Sequence, residues 1–100
     1  MTFEVAFDPE ALEDLRSIRA YERRTILDHI DRLLTVQPTS VSRSRIKRLR
    51  GVSSPQYRLR VGGFRVFYDV SAGEVYVMRV LSKTTVDRYL KESGDARQDD

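Results

Sequence analysis

Cysteine and tryptophan are absent from this 100-residue chain, and histidine occurs once, at position 29. Without cysteine there is no disulfide framework, no thiolate metal site and no thiol nucleophile, so nothing calls for an oxidising compartment and a cytoplasmic location is expected. A single histidine excludes a multi-histidine metal centre. Neither metal nor cofactor is expected. No apolar run approaches the roughly 20 residues that cross a bilayer, and the N-terminus lacks the charged start and apolar stretch of a signal peptide, so no membrane role is expected. Gly-rich phosphate loops, a Gly-x-Ser-x-Gly elbow and internal repeats are missing as well.

The most informative absence is regional. Residues 32–68 contain no Asp or Glu, yet carry Arg32, Arg43, Arg45, Lys47, Arg48, Arg50, Arg58, Arg60 and Arg65, a local charge of +9. Residues 1–31 hold eight acids against four bases (−4), and residues 69–100 hold seven against five (−2), so the net +3 hides a strong segregation. A segregated positive field attracts polyanions and is the footprint of a nucleic-acid binder, whereas a surface kept only for solubility would mix its signs.

Hydrophobic residues make up 40% and charged residues 33% of the chain, which suits one soluble domain with a single core. Residues 1–94 read as that domain and residues 95–100 as a flexible acidic tail. Phe3, Val5 and Phe7 alternate with Glu4 and Ala6 and predict a first strand. Asp8 and Pro9 suit the cap and first position of a helix striped by Ala11, Leu12, Leu15 and Ile18. A second stripe at Ile26, Leu27, Ile30, Leu33 and Leu34 predicts another helix, which Pro38 stops. Residues 39–56 read as a basic loop. Strands are predicted over Tyr57–Val61 and Phe64–Val70, joined by the hairpin signal Gly62-Gly63, and over Val75–Leu81. Val86, Tyr89 and Leu90 stripe a short last helix that starts at a capping-box-like Thr84–Asp87 and ends by Gly94. The expected fold class is α+β, with two N-terminal helices packed on an antiparallel sheet and a short C-terminal helix.

The Gly62-Gly63 turn sets a register in which Val61 faces Phe64, Arg60 faces Arg65, Leu59 faces Val66 and Arg58 faces Phe67. Side chains alternate along a strand. Tyr57, Leu59, Val61, Phe64, Val66 and Tyr68 therefore form an apolar face toward the helices, and Arg58, Arg60, Arg65 and Phe67 form the other. A three-residue turn at 71–73 would place Arg79 beside Arg65 on this second face, while a four-residue turn would bury it at a cost. The first is expected. Like charges facing each other on a sheet are destabilising, so these side chains splay into solvent, pair with acids of the first helix or the tail, or hold an anionic ligand between them, and the ligand is the expectation. Guanidinium forks match phosphate geometry, and Phe67 offers a surface for base stacking. Phosphates with unstacked bases mean single-stranded nucleic acid, with RNA favoured.

The order strand, helix, helix, basic loop, three meander strands, short helix, with Lys47-Arg48-Leu49-Arg50-Gly51 and Tyr57-Arg58-Leu59-Arg60-Val61-Gly62-Gly63-Phe64-Arg65-Val66-Phe67-Tyr68, resembles the RelE/ParE toxin superfamily of bacterial toxin–antitoxin systems over about residues 3–92. The resemblance implies a RelE-like toxin, a metal-independent mRNA endonuclease working on the ribosome. In it the RNA's 2′-hydroxyl attacks the adjacent phosphate and leaves a 2′,3′-cyclic phosphate. The basic positions of that branch fall on Arg58, Arg60 and Arg65, a later one on Lys83, and a helix tyrosine on Tyr89. A histidine that accompanies the later basic position in the family is absent here. Lys47, Arg48, Arg50, Phe67 and Arg79 would hold RNA. Arg cannot act as a base, which leaves Lys83 or Tyr89, with His29 expected to be structural. The resemblance also admits a ParE-like gyrase inhibitor and a degenerate toxin that only binds its antitoxin. The implied partner is an acidic, amphipathic antitoxin forming a hetero-oligomer, and the last helix is expected to move when it binds.

Overall fold

The computed structural model of the chain describes residues 2–92. The tail expected at 95–100, and the helix stop at Gly94, lie outside the described residues. Strand β1 (Glu4–Phe7) leads through an Asp8 cap, whose carboxylate accepts from the Glu10 amide at 2.9 Å, into helix α1 (Pro9–Arg16). Arg23 braces the far end of α1 by donating to the carbonyl of Leu15, in its last turn, and to that of Ile18 just beyond it, at 3.2 and 3.3 Å. Helix α2 (Ala20–His29) runs into a π-helical turn, Ile30–Leu34. That wider turn keeps Ile26, Ile30 and Leu34 on one buried row, while Leu27 from the predicted stripe is largely exposed.

Strands β2 (Ile46–Arg48), β3 (Tyr57–Val61), β4 (Phe64–Ser71) and β5 (Glu74–Ser82) follow, and helix α3 (Val86–Glu92) closes the described chain. The sheet order is β1-β5-β4-β3-β2. The pairings β3–β4 and β4–β5 are antiparallel as expected and β2–β3 is a further antiparallel one, but β1 lies parallel to β5, with Glu4 opposite Glu74, so the sheet is mixed rather than antiparallel. Hairpin signals speak only for consecutive strands, and β1 takes the last strand as its partner. The predicted basic loop also contains β2, which pairs Ile46 with Leu59 and Lys47 with Arg58. No helix among the described residues is long and apolar enough to cross a membrane.

The β3–β4 register is the predicted one: Arg58 opposite Phe67, Leu59 opposite Val66, Arg60 opposite Arg65. The helical pair covers the face of Leu59, Val61, Val66, Tyr68, Val75, Val77 and Val80. Tyr68 is fully buried there, and its hydroxyl donates to the Pro38 carbonyl at 2.6 Å, tying the chain after the π turn to β4. Burial, reinforced by Tyr57, raises the Tyr68 pKa well above the ordinary tyrosine range. A phenol whose folded pKa is raised adds stability that is complete below its unfolded value and is lost as pH climbs past it, here above about pH 10. Tyr68→Phe should therefore cost about 1–2 kcal/mol at pH 7 through the lost hydrogen bond and should weaken the decline between pH 9 and 11. Part of that decline should survive, because hydrogen bonding to Asp8 also raises the Tyr76 pKa. Urea titrations at both pH values check the pair of effects.

Candidate nucleic-acid interface

The opposite face of the sheet carries the cations. One row crosses four strands as Lys47, Arg58, Phe67 and Arg79, and the next holds Arg60, Arg65 and Leu81. The turn between β4 and β5 is the two-residue Ala72-Gly73, both at positive φ. A straight continuation from it would have turned Arg79 into the core. A β-bulge between Phe67 and Tyr68 shifts the register and returns Arg79 to the cationic face, opposite Phe67 rather than beside Arg65.

This face is not open. Helix α3 lies over it, and Val86 and Leu90 join Leu49 and Phe67 in a second apolar cluster flanked by Val52, Leu81 and Tyr89. Phe67 is 0% exposed, so its ring is a core element and offers no platform to a base. Arg58 and Arg65 are 1% and 4% exposed. Arg65 turns back on its own hairpin, donating to the Gly62 and Phe64 carbonyls at 2.9 and 3.0 Å, while Arg60 opposite points to solvent. Turning one guanidinium inward and the other outward relieves the like-charge juxtaposition.

Lys83 is exposed at the same end of the sheet, where its backbone amide donates to the Gly63 carbonyl at 2.9 Å. Arg60, Arg65 and Lys83 therefore gather around the Gly62-Gly63 turn. Lys47 is half-buried beside Arg58, and Arg50 is exposed beyond β2. Arg48 is separated from them. It pairs with Tyr57 on the helix-covered face, lies over that ring at 5.2 Å and donates to the Gln56 carbonyl at 2.7 Å. Arg79 is likewise occupied: its Nε and Nη2 donate to Asp14 at 2.8 and 3.0 Å, and Nη1 lies 3.6 Å from Glu10. The bonds to Asp14 raise its pKa further. Its fork is thus filled by protein carboxylates. Tyr89 is half-buried, with its ring 5.0 Å from Phe67 and 5.6 Å from the Arg79 guanidinium carbon. His29 sits on α2 with Nδ1 2.8 Å from the Thr25 carbonyl, on the side of the sheet away from the cations.

Two acids matter that the sequence does not single out. Asp14 holds both Arg79 and the Val80 amide, at 2.9 Å, across 66 residues of chain. Asp69 accepts from Ser54 and from the Gln56 amide at 2.5 and 2.7 Å and so pins the basic loop to β4. Nothing local marks either residue; only the interruption of the α1 apolar stripe at Asp14 was a signal.

Arginines fixed around a hairpin turn can orient a phosphate and stabilise charge that builds on it, but they cannot take a proton. Lys47, Lys83 and Tyr89 carry the side chains at this face that can do so, and of these Lys83 is the one beside the Gly62-Gly63 turn.

The sequence profile of a family described as ParE toxin of type II toxin–antitoxin system, parDE, matches residues 5–86. No curated protein matches the chain. Among solved structures, the chain is similar to the RelBE2 toxin–antitoxin complex of Mycobacterium tuberculosis, at 21% identity and a TM-score of 0.72 over 83% of this chain and 100% of that one. It is similar to an arginine-to-alanine double mutant of Escherichia coli toxin RelE in the free state, at 23% identity and 0.68 over 93% and 95%. It is also similar to a chromosomal ParDE system of Pseudomonas aeruginosa, at 16% identity and 0.58 over 81% and 96%. At these identities the likeness is one of fold.

Proposed function

The chain belongs to the ParE toxin family of type II toxin–antitoxin systems, within the RelE/ParE superfamily, and from the arrangement of its cations we propose that it acts as a RelE-like endoribonuclease on ribosome-bound mRNA. The observation that carries the reading is the gathering of Arg60, Arg65 and Lys83 around the Gly62-Gly63 turn, on the face of an acid-free segment. The scissile phosphate sits against Arg60 and Lys83, the two cations exposed to solvent at this end. Arg65 and Arg58 lie one layer beneath and add to the positive potential. The 2′-oxygen bonds to phosphorus, the bond to the 5′-oxygen breaks, and the products are a 2′,3′-cyclic phosphate and a 5′-hydroxyl. Lys83 or Tyr89 takes the 2′-proton, water gives a proton to the departing 5′-oxygen, and the cations stabilise the charge on the phosphoryl oxygens. Lys47 and Arg50 extend the track for the RNA backbone.

A ParE-like action on gyrase is the second reading. Burial of Arg58, Arg65 and Phe67 beneath α3 favours it, since it leaves fewer cations for RNA. Expressing the chain without its antitoxin separates the two. Arrest with early loss of translated mRNA is the expected result, while arrest with intact mRNA and an SOS response would establish the gyrase reading instead. The variant Arg60→Ala/Lys83→Ala should restore colony formation with an unchanged melting temperature, because both side chains are exposed. Undiminished toxicity in that variant would remove these residues from the mechanism.

A further inference from the structure

One arrangement is left unused by the reaction just described. Arg79 and Asp14 meet through two parallel hydrogen bonds, at 2.8 and 3.0 Å, and the same carboxylate takes the Val80 amide at 2.9 Å. Their side chains are only 27% and 14% exposed. A bidentate carboxylate–guanidinium contact fixes the plane of the guanidinium as well as its place. That plane lies against Tyr89, with Cζ 5.6 Å from the ring centroid, within the range of a cation–π contact. Phe67, rigid in its cluster, meets the same ring at 5.0 Å and 57°. Tyr89 belongs to α3, whose described residues are held by packing on the sheet rather than by helix propensity alone. Its ring is placed against groups anchored elsewhere, one on β4 and one on β5 through α1. A cleft of about 240 Å³ lined by Arg79, Leu81, Thr85, Arg88, Tyr89 and Glu92 leaves the ring approachable from solvent.

We propose that Asp14 and Arg79 are positioning residues for Tyr89 in RNA cleavage, with Asp14 fixing the Arg79 plane and Arg79 fixing the ring. The proposal rests on the endoribonuclease reading and on Tyr89 acting at the phosphate. It gives Arg79 a different part from direct RNA binding, since its donors already serve Asp14 and Glu10.

The Asp14–Arg79 bridge also ties α1 to β5, so stability and positioning must be separated. A double-mutant cycle does this with purified toxin and ribosome-bound mRNA. Asp14→Asn should lower kcat by on the order of 10- to 100-fold with little change in KM, the scale expected when a reacting group is misplaced. In a Tyr89→Ala background the same Asp14→Asn change should alter kcat by no more than about two-fold, because the residue it positions is gone. Equal losses in both backgrounds, or no loss in the wild-type background, would overturn the proposal. If Asp14→Asn does not fold, Arg79→Lys, which keeps the charge and loses the fork, runs the same cycle. Wild-type protein that leaves ribosome-bound mRNA intact overturns the endoribonuclease reading itself. Wild-type protein that cuts, with additive losses, overturns the positioning role alone.

Discussion

Phe67→Ala should remove about 3–5 kcal/mol of stability, the range for emptying a buried phenylalanine site, and the loss should be felt first by α3. Phe67 is fully buried at the centre of the cluster that holds α3 to the sheet, with Leu49 below and Val86 and Leu90 above. Its neighbours on the other face, Val66 and Tyr68, belong to the main core and do not depend on it for cover. Amides of residues 86–92 should then exchange at a much lower opening energy than those of β3, β4 and β5, which in the wild type are bridged to α3 through this ring. Urea unfolding gives the total and hydrogen exchange gives the distribution. A change below 1 kcal/mol, or a uniform loss of protection across sheet and helix, would show that α3 is held by something other than this cluster. Since whole domains are stable by only about 5–15 kcal/mol, the variant should remain folded near room temperature and lose α3 on warming.

That cluster marks the boundary of what the sequence discloses. The β3–β4 hairpin is legible because Gly62-Gly63 admits few turn geometries and a two-residue turn leaves no freedom of register. The next turn is less legible. Ala72 adopts φ 45° and Gly73 φ 80°, a pair of positive values that alanine does not advertise. A two-residue turn then combines with a bulge at Phe67/Tyr68, and the two irregularities offset each other. The face of Arg79 is therefore the predicted one, while its neighbour across the sheet is Phe67 and not Arg65.

Strand β2 was hidden by composition: three residues in an Arg-rich run show no alternation, and only Ile46, 4% exposed, does the burying. The parallel β1 carries no local signal either, since its partner lies at the other end of the domain. On the cationic face the expected residues stand together, and their burial went unseen for a physical reason. Alternating Arg58-x-Arg60 and Arg65-x-Phe67 reads as a solvated surface, yet arginine stems are apolar for most of their length and pack well beneath a helix. The apolar stripe of α3 was visible in Val86, Tyr89 and Leu90; the surface it would cover was not. Of the candidate site, the gathering of Arg60, Arg65 and Lys83 follows from the hairpin and was within reach. The occupation of Arg79 by Asp14 was not, because it spans the whole domain.

Binding of the cognate antitoxin should lower the exchange protection of α3 by on the order of 100-fold, roughly what the burial of two aliphatic side chains contributes to its docking. Among the described residues of α3, Val86 and Leu90 are the fully buried ones, and Tyr89 adds a half-buried ring. Most of the stability of a helix in a protein comes from its tertiary packing, so an antitoxin segment that competes for the surface over Leu49 and Phe67 removes the support of α3. An acidic, amphipathic segment fits that place, because its apolar side chains take the positions of Val86 and Leu90 while its carboxylates meet Arg58 and Arg65 beneath. Release of α3 also withdraws Tyr89 from Phe67 and Arg79, which dismantles the positioning proposed above. The measurement is hydrogen exchange on residues 83–92, with and without antitoxin, with β4 as the internal reference. Loss of protection at 86–92 with gain or no change in β4 is the expected pattern. Unchanged protection of α3, with new protection confined to the Gly62-Gly63 turn and Lys83, would mean instead that the antitoxin covers Arg60 and Lys83 from outside and leaves the helix in place.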